Sequence, residues 1–348
     1  MNPYVLMILL SSLGLGTTLT LASSHWLLAW MGLEINTLAI VPLMAQHHHP
    51  RAVEATTKYF LTQATAAAMI LFAGTTNAWI TGEWGMNNMS NSIASTMVIT
   101  ALALKIGLAP MHFWMPEVLQ GLDLSTGLIL STWQKLAPLT LIIQTAQAID
   151  PAVLTALGLM SALAGGWGGL NQTQLRKILA YSSIAHMGWM ILILQYAPQL
   201  TLLTLTTYIF MTSAAFLTLK MSSATKISTL AMTWSNSPIL TAVTALVLLS
   251  LGGLPPLTGF MPKWLILQEL TKQNLPLTAT IMALTALLSL FFYLRLCYAM
   301  TLTMSPATTN HITPWRTKTT QNSLPLSIST TIALGLLPIT PTILTLVN

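Results

Sequence analysis

Long apolar runs separated by short polar stretches are the feature that most constrains this chain. An α-helix needs about 20 mostly apolar residues to cross roughly 30 Å of hydrocarbon. About eleven such runs can be marked, at approximately 3–21, 25–45, 57–80, 93–120, 124–145, 150–171, 175–196, 200–221, 237–272, 275–300 and 324–346. The fourth and ninth are too long for one crossing and contain prolines. The sequence therefore predicts an all-α polytopic membrane protein with two broken helices.

The composition excludes several classes of protein. Only 6% of the residues are charged, against about 25% in soluble domains, so the charged residues could not cover a soluble surface. The net charge of +6 comes from scattered cations without interleaved aromatics, which argues against nucleic acid as a partner. The single cysteine, Cys297, excludes a cysteine-ligated iron–sulfur cluster. Any redox chemistry must therefore belong to a partner.

The distribution of basic residues predicts the orientation, because short inner loops retain Lys and Arg. Most cations fall on the side of the N-terminus, and they are Arg51, Lys58, Arg176, Lys177, Lys220, Lys226, Arg295, Arg316 and Lys318. Lys272 falls opposite. Because Met1-Asn2-Pro3-Tyr4 lacks the basic start of a targeting segment, we expect the first run to be retained. The prediction is an inner N-terminus and an outer C-terminus.

An internal repeat organises the chain. Residues 107–119 align without gaps to residues 253–265, with identity at six of 13 positions. The two segments lie five helices apart, so they cross in opposite directions. We predict one transmembrane domain, 1–348, with inverted halves at about 1–145 and 150–300 and a C-terminal loop and helix at about 301–348. Breaks at Pro110 and at Pro255-Pro256 would free backbone carbonyls beside a cavity, although two simple packing kinks remain the alternative.

Four ionisable residues lie at membrane depth. They are Glu34, Lys105, Lys135, which we expect near the middle of its helix, and Lys263, whose depth depends on the path after the second break. Each costs about 2.5–3.5 kcal/mol at a helix centre, so we expect them to be functional. Burial favours the neutral amine and a nearby carboxylate favours the ammonium. The set could therefore carry a proton from Lys105 to Lys135 to Lys263, with Glu34 as modulator. A structural pair such as Glu34 with Lys105 is the alternative, and it would leave two lysines unmatched.

Histidines are weaker candidates. His112 follows the first break and His186 lies mid-span, and either could relay protons or be a hydrogen-bonded core residue. The run His47-His48-His49 falls in a loop, where interface exposure is the simpler interpretation. The glycines at 165–169 favour close helix packing.

The motifs around these residues resemble a known family. They are Met31-Gly-Leu-Glu-Ile-Asn36, Ala103-Leu-Lys-Ile-Gly-Leu-Ala-Pro-Met-His-Phe-Trp114, Trp133-Gln-Lys-Leu-Ala-Pro138, and Leu251-Gly-Gly-Leu-Pro-Pro-Leu-Thr-Gly-Phe260 followed by Lys263. Together they are similar to the antiporter-like, proton-pumping subunits of respiratory NADH:ubiquinone oxidoreductase (complex I). The resemblance covers nearly the whole chain.

The resemblance implies roles for these residues. Glu34 would pair with Lys105 at a broken helix, Lys135 would be the central relay, and Lys263 would lie on the exit side. Bacterial relatives have three further N-terminal helices, for which this chain has no room.

The resemblance also implies a setting. The chain would lie in the mitochondrial inner membrane, with its N-terminus on the matrix side and its C-terminus on the intermembrane-space side. Its partners would be other membrane subunits, including antiporter-like subunit 4 and small subunits, together with lipids such as cardiolipin. It would bind no cofactor or metal itself, while NADH, FMN, iron–sulfur clusters and ubiquinone would belong to partner subunits.

Three functions remain open at this stage. The first is a proton-translocating subunit driven by quinone reduction elsewhere in a complex. The second is a free-standing cation/proton antiporter, and the third is a membrane scaffold without transport. The absence of a nucleotide motif disfavours an independent redox enzyme.

Overall fold

The computed structural model describes residues 2–46, 49–86, 89, 91–303 and 323–342, and these form helices without β-strands. The α-helices are α1 Pro3–Ala22, α2 Trp26–Met44, α3 Pro50–Thr81, α4 Ser92–Ile106, α5 Trp114–Gly121, α6 Leu124–Ser131, α7 Leu136–Thr145, α8 Pro151–Gly169, α9 Leu175–Ile193, α10 Pro198–Ser222, α11 Ile227–Ala231, α12 Thr233–Asn236, α13 Pro238–Gly252, α14 Phe260–Lys272, α15 Pro276–Thr301 and α16 Leu324–Gly335. Short 3-10 helices lie at Trp133–Lys135, Ala146–Ala148 and Leu337–Ile339. The predicted all-α class is confirmed.

Five of the described helices are long and apolar enough to cross a membrane by length and composition. They are α1, α2, α8, α10 and α15. The prediction of about eleven crossings is not tested by this criterion and stays a prediction. The third helix begins at Pro50, earlier than the predicted 57, because a proline fits the first helical turn and the following residues continue the helix.

Glycines in the left-handed region end three helices. Gly82, Gly107 and Gly253 have φ values of 75°, 85° and 80°, and they cap α3, α4 and α13 respectively. Glycine adopts this conformation without the steric cost of a Cβ. The chain then leaves the helix for several residues before α5 and before α14, and the Ala109-Pro110 and Pro255-Pro256 peptide bonds are cis.

The fifth predicted span, 124–145, is not a continuous helix. It divides into α6, the 3-10 segment Trp133–Lys135, and α7. Pro138 explains the interruption, since its ring lacks an N–H and would clash with the carbonyl of Gln134 in a regular helix. The prediction that Lys135 lies mid-helix is therefore wrong, and Lys135 lies at a local break.

The last part of the chain also differs from the prediction. Residues 227–236 form the short helices α11 and α12, which were not predicted. The predicted span 324–346 is interrupted after Gly335 by the 3-10 turn Leu337–Ile339, and residues 340–342 are helical again. Pro338 explains the interruption, because it cannot donate a helical hydrogen bond. Within the predicted C-terminal loop and helix at about 301–348, residues 304–322 and 343–348 lie outside the described residues, as do His47 and His48.

The chain divides into two compact units, Met1–Met160 and Ser161–Asn348. In the first, α1 and α2 approach closely, since a Cβ on Gly16 would lie 2.9 Å from the Gly32 carbonyl oxygen. In the second, a Cβ on Gly165 would lie 2.5 Å from the Ala185 amide nitrogen. The glycines at 165–169 thus serve close helix packing, as predicted.

Candidate functional site

The first helix break lies beside a buried lysine. Lys105 is in the last turn of α4, and only 6% of it is exposed. Trp114 donates its indole N–H to the Leu104 carbonyl oxygen at 3.0 Å, and Gln63 donates an amide N–H to the Lys105 carbonyl oxygen at 3.5 Å. Side chains therefore satisfy carbonyls that the interruption removes from the helical ladder.

Lys135 is buried near the same place. Lys135 is 2% exposed, and it is the last residue of the 3-10 turn Trp133–Lys135 that precedes α7. Lys105 and Lys135 line one cavity together with neutral polar residues, which are Asn36, Thr37, Tyr59, Gln63 and Gln134. The cavity has a volume of about 10 Å³, close to the space that one water molecule needs. Within the first unit the fold thus brings two of the predicted lysines to one polar cavity.

Glu34 lies close to Lys105 without forming a direct pair. The carboxylate interacts electrostatically with Lys105 and with Tyr59. Among the described residues, it forms no salt bridge within 4.0 Å, and its Oε2 is buried without a hydrogen-bond donor. A carboxylate that acts at a distance can attract the Lys105 side chain without locking it in place.

His112 lies within the first break, between α4 and α5. It is 8% exposed, its imidazole interacts with the Pro110 carbonyl, and its ring lies 4.4 Å from that of Phe113. It is absent from the residues that line the cavity between Lys105 and Lys135. Its participation in a relay stays a prediction.

The second unit contains Lys263 and His186. Lys263 is half-buried on α14, and its ammonium donates to the Gly252 carbonyl oxygen at 2.8 Å. His186 is half-buried on α9, with its ring 5.6 Å from that of Tyr208. The lysine therefore contacts the C-terminal end of the half-helix that precedes the second break.

Several neutral residues of the cavity were missed by the sequence analysis. Asn36 and Gln134 stand inside motifs that carried the resemblance, and Gln134 donates to the Asn36 carbonyl oxygen at 3.4 Å. Tyr59 and Gln63 are 2% and 3% exposed on α3. A glutamine within an apolar run was an available signal, because an uncharged polar side chain is also costly in hydrocarbon.

An exposed ion cluster lies between α3 and α5. Lys58 contacts Glu54 and Glu117, each at 2.8 Å. The Lys58 ammonium holds the pKa of the Glu54 carboxyl below its usual range.

Glu117 aligns with Lys263 in the internal repeat, so the repeat does not preserve charge at this position.

These features define a class of protein. The chain is a helical membrane protein whose broken helices hold buried lysines, and its fold is shared by membrane subunits of respiratory and antiporter complexes. A respiratory complex I chain from Thermus thermophilus superposes with a TM-score of 0.85 at 28% identity, covering 97% of this chain and 78% of that one. The Mrp complex of a Dietzia species also gives a TM-score of 0.85, at 16% identity, with 97% and 76% covered, which shows the common fold.

Sequence comparison is more specific. The model of the NADH:quinone oxidoreductase/Mrp antiporter transmembrane family matches residues 23–289, and that of the NADH dehydrogenase subunit 2 C-terminus matches 290–344. Proteins named NADH-ubiquinone oxidoreductase chain 2 from Carassius auratus and Cyprinus carpio are 83% and 82% identical, each over 99% of both chains. The chain belongs to the NADH dehydrogenase subunit 2 family.

Proposed function

We propose that this chain moves protons across the membrane as part of NADH:ubiquinone oxidoreductase. Family membership makes it a membrane subunit of that enzyme, and it disfavours the alternative of a free-standing antiporter. In the proposed function, the chain itself carries no redox centre. NADH oxidation and ubiquinone reduction, with FMN and iron–sulfur clusters, belong to partner subunits.

One observation carries the proposal for the site. Lys105 and Lys135 are both buried and both line one polar cavity that is about the size of a water molecule. An amine that can be neutral or charged is a proton carrier, and a water between two such amines would allow transfer without large side-chain movement. The proposed step is donation from the Lys105 ammonium through that water to the neutral Lys135 amine.

The remaining predicted residues extend this step. Glu34 favours the charged form of Lys105, so a change in its position would release the proton toward Lys135. Lys263 is the proposed acceptor in the second unit, where the Gly252 carbonyl favours its ammonium form. His112 and His186 are proposed as accessory relays. Pro110, Pro255 and Pro256 keep the helix breaks open at membrane depth.

The setting follows from the same family. We place the chain in the mitochondrial inner membrane with about eleven crossings arranged as an inverted repeat. The N-terminus faces the matrix, because the basic residues are on that side. Antiporter-like subunit 4, small membrane subunits and cardiolipin are the proposed neighbours.

Gentle solubilisation of the native membrane tests the assembly. The chain should comigrate with NADH-oxidising activity when a mild detergent extract is run on a native gel. Migration as a free monomer, with the NADH-oxidising band lacking this chain, would contradict the assignment. A chain that comigrates but whose buried lysines can be replaced without loss of pumping would be a scaffold.

A further inference from the structure

An apolar groove between α2 and α3 lies apart from the proposed proton path. It has a volume of about 180 Å³, and it is lined by Trp26, Leu27 and Trp30 on α2, by Ile70, Leu71, Gly74 and Thr75 on α3, and by Trp84. All of these residues belong to the first unit. None of them takes part in the cavity that holds Lys105 and Lys135.

Two tryptophans of the groove hold unused hydrogen-bond donors. Trp26 is 2% exposed, and the indole N–H groups of Trp26 and Trp30 are buried without an acceptor in the described part of the chain. A buried polar group without a partner is costly, and tryptophan N–H groups usually find one. The indole nitrogens have almost no accessible surface, so an acceptor from outside the chain would remove that cost once an indole turns toward the groove.

The position of the groove along its helices points to the level of a membrane surface. Trp26 opens α2, and Gly74 is seven residues before the end of α3, which is about 10 Å along the helix. Beside the groove, the segment before α2 contacts the segment after α3, since Trp26 donates its amide N–H to the Trp84 carbonyl oxygen at 3.2 Å and the rings of His25 and Trp84 stack at 5.6 Å. Tryptophan prefers this level, where ester carbonyls of lipids meet the acyl chains.

Charge limits what the groove can bind. None of its lining residues is charged, and Glu83 precedes Trp84 in the chain. Anionic lipids such as cardiolipin bind at basic pockets, which this groove is not. We propose that the groove binds one zwitterionic diacyl phospholipid, with an acyl chain against Leu71 and Gly74 and an ester carbonyl accepting from the tryptophan indoles. This site is independent of the proposed proton path.

Photolabelling of the intact complex tests the proposal. The complex is reconstituted with phosphatidylcholine that has a diazirine in one acyl chain, and the labelled residues are mapped by peptide mass spectrometry. We expect label at residues 70–75 in excess over exposed residues of α1, such as Met7 and Ile8, which are 71% and 65% exposed. Unlabelled phosphatidylcholine, added as a competitor, should lower the label at residues 70–75 at least about threefold more than phosphatidylglycerol or cardiolipin does. Label no greater than at α1, or equal displacement by the anionic lipids, would overturn the proposal.

Matched variants separate the donors from the shape of the groove. Trp30→Phe removes an indole N–H. We expect the label to fall about fivefold, which is the change in affinity expected from the loss of one hydrogen bond. Trp79→Phe is the control, since Trp79 is 91% exposed on α3 and does not line the groove. Gly74→Leu would fill the groove and abolish the excess label, whereas Gly14→Leu has open space around it. Retained label in both groove variants would contradict the site even if the wild-type label is present.

Discussion

Lys263 donates a 2.8 Å hydrogen bond to the carbonyl oxygen of Gly252, which lies eleven positions earlier at the end of α13. The bond joins the two halves of a broken helix across the break. Carbonyls at a helix C-terminus have no intrahelical donor and carry partial negative charge, so they attract an ammonium group. The position of Lys263 therefore depends on the backbone of the break itself.

Gly253→Ala should disturb this lysine. Gly253 has φ 80°, and an added Cβ would lie 2.9 Å from both Cδ and Nζ of Lys263. We expect lower proton transfer per NADH oxidised and a loss of about 1–2 kcal/mol of stability from the left-handed conformation, seen as a lower midpoint of thermal inactivation. Gly82→Ala is the control, because Gly82 has φ 75° but open space around it. If both variants pump like the wild type, Lys263 does not need this position.

Lys135→Ala should slow proton passage through this chain by about 100-fold or more, the usual effect of removing a group that transfers a proton. The measurement is the number of protons moved per NADH oxidised in proteoliposomes of the intact complex. Lys220→Ala removes an exposed lysine and should leave the ratio unchanged. An unchanged ratio for Lys135→Ala as well would favour the scaffold function.

Pro138→Ala tests whether the local break matters at Lys135. Alanine restores an N–H and removes the clash with the Gln134 carbonyl, so α6 and α7 could join into one helix. Lys135 would then rotate away from the cavity, and we expect less pumping with normal assembly. Pro42→Ala also replaces a proline inside a helix, α2, but at an exposed position. Equal pumping in the two variants would show that the 3-10 turn has no role in transfer.

Gly16→Ala should affect a residue of the cavity through packing. A Cβ on Gly16 would contact Asn36 Oδ1 and lie 2.9 Å from the Gly32 carbonyl oxygen. We expect a loss of about 1–3 kcal/mol from overpacking, measured as earlier thermal dissociation of the complex. Gly14→Ala lies on the same helix, and its Cβ would meet nothing within 4 Å. Similar stability of the two variants would mean that α1 and α2 can separate without cost.

The sequence predicted those parts of the fold that local chemistry determines. Prolines inside two over-long apolar runs marked both breaks, because proline cannot continue a helix, whereas the left-handed glycines that end α4 and α13 were found only in the structure. Depth along an apolar run was enough to identify Lys105 as buried. Pro138 carries the same kind of signal, but it lies inside a run of ordinary length, so the interruption at Lys135 was missed.

The composition of the cavity could not be predicted in the same way. Asn36, Gln63 and Gln134 lie on different helices, and only packing brings them to Lys105 and Lys135. Hydropathy reports how costly a side chain is in hydrocarbon, and it does not report which neighbour it faces. The apolar groove has the same origin, since its tryptophans are indistinguishable in sequence from the interfacial tryptophans common in membrane proteins.

The breaks after α4 and α13 also limit how the chain can enter the membrane during synthesis. Each of these helices has 15 residues, or about 22 Å, which is short of the roughly 30 Å that a stable crossing requires. An insertion machinery that releases one crossing at a time must therefore hold α4 until α5 has emerged, and α13 until α14 has. In a nascent chain of which Ile106 is the last residue to have emerged, α4 should still crosslink to that machinery, whereas emergence as far as Gly121 should let α4 crosslink to lipid; α1 and α2 hold the chain in the membrane in both cases.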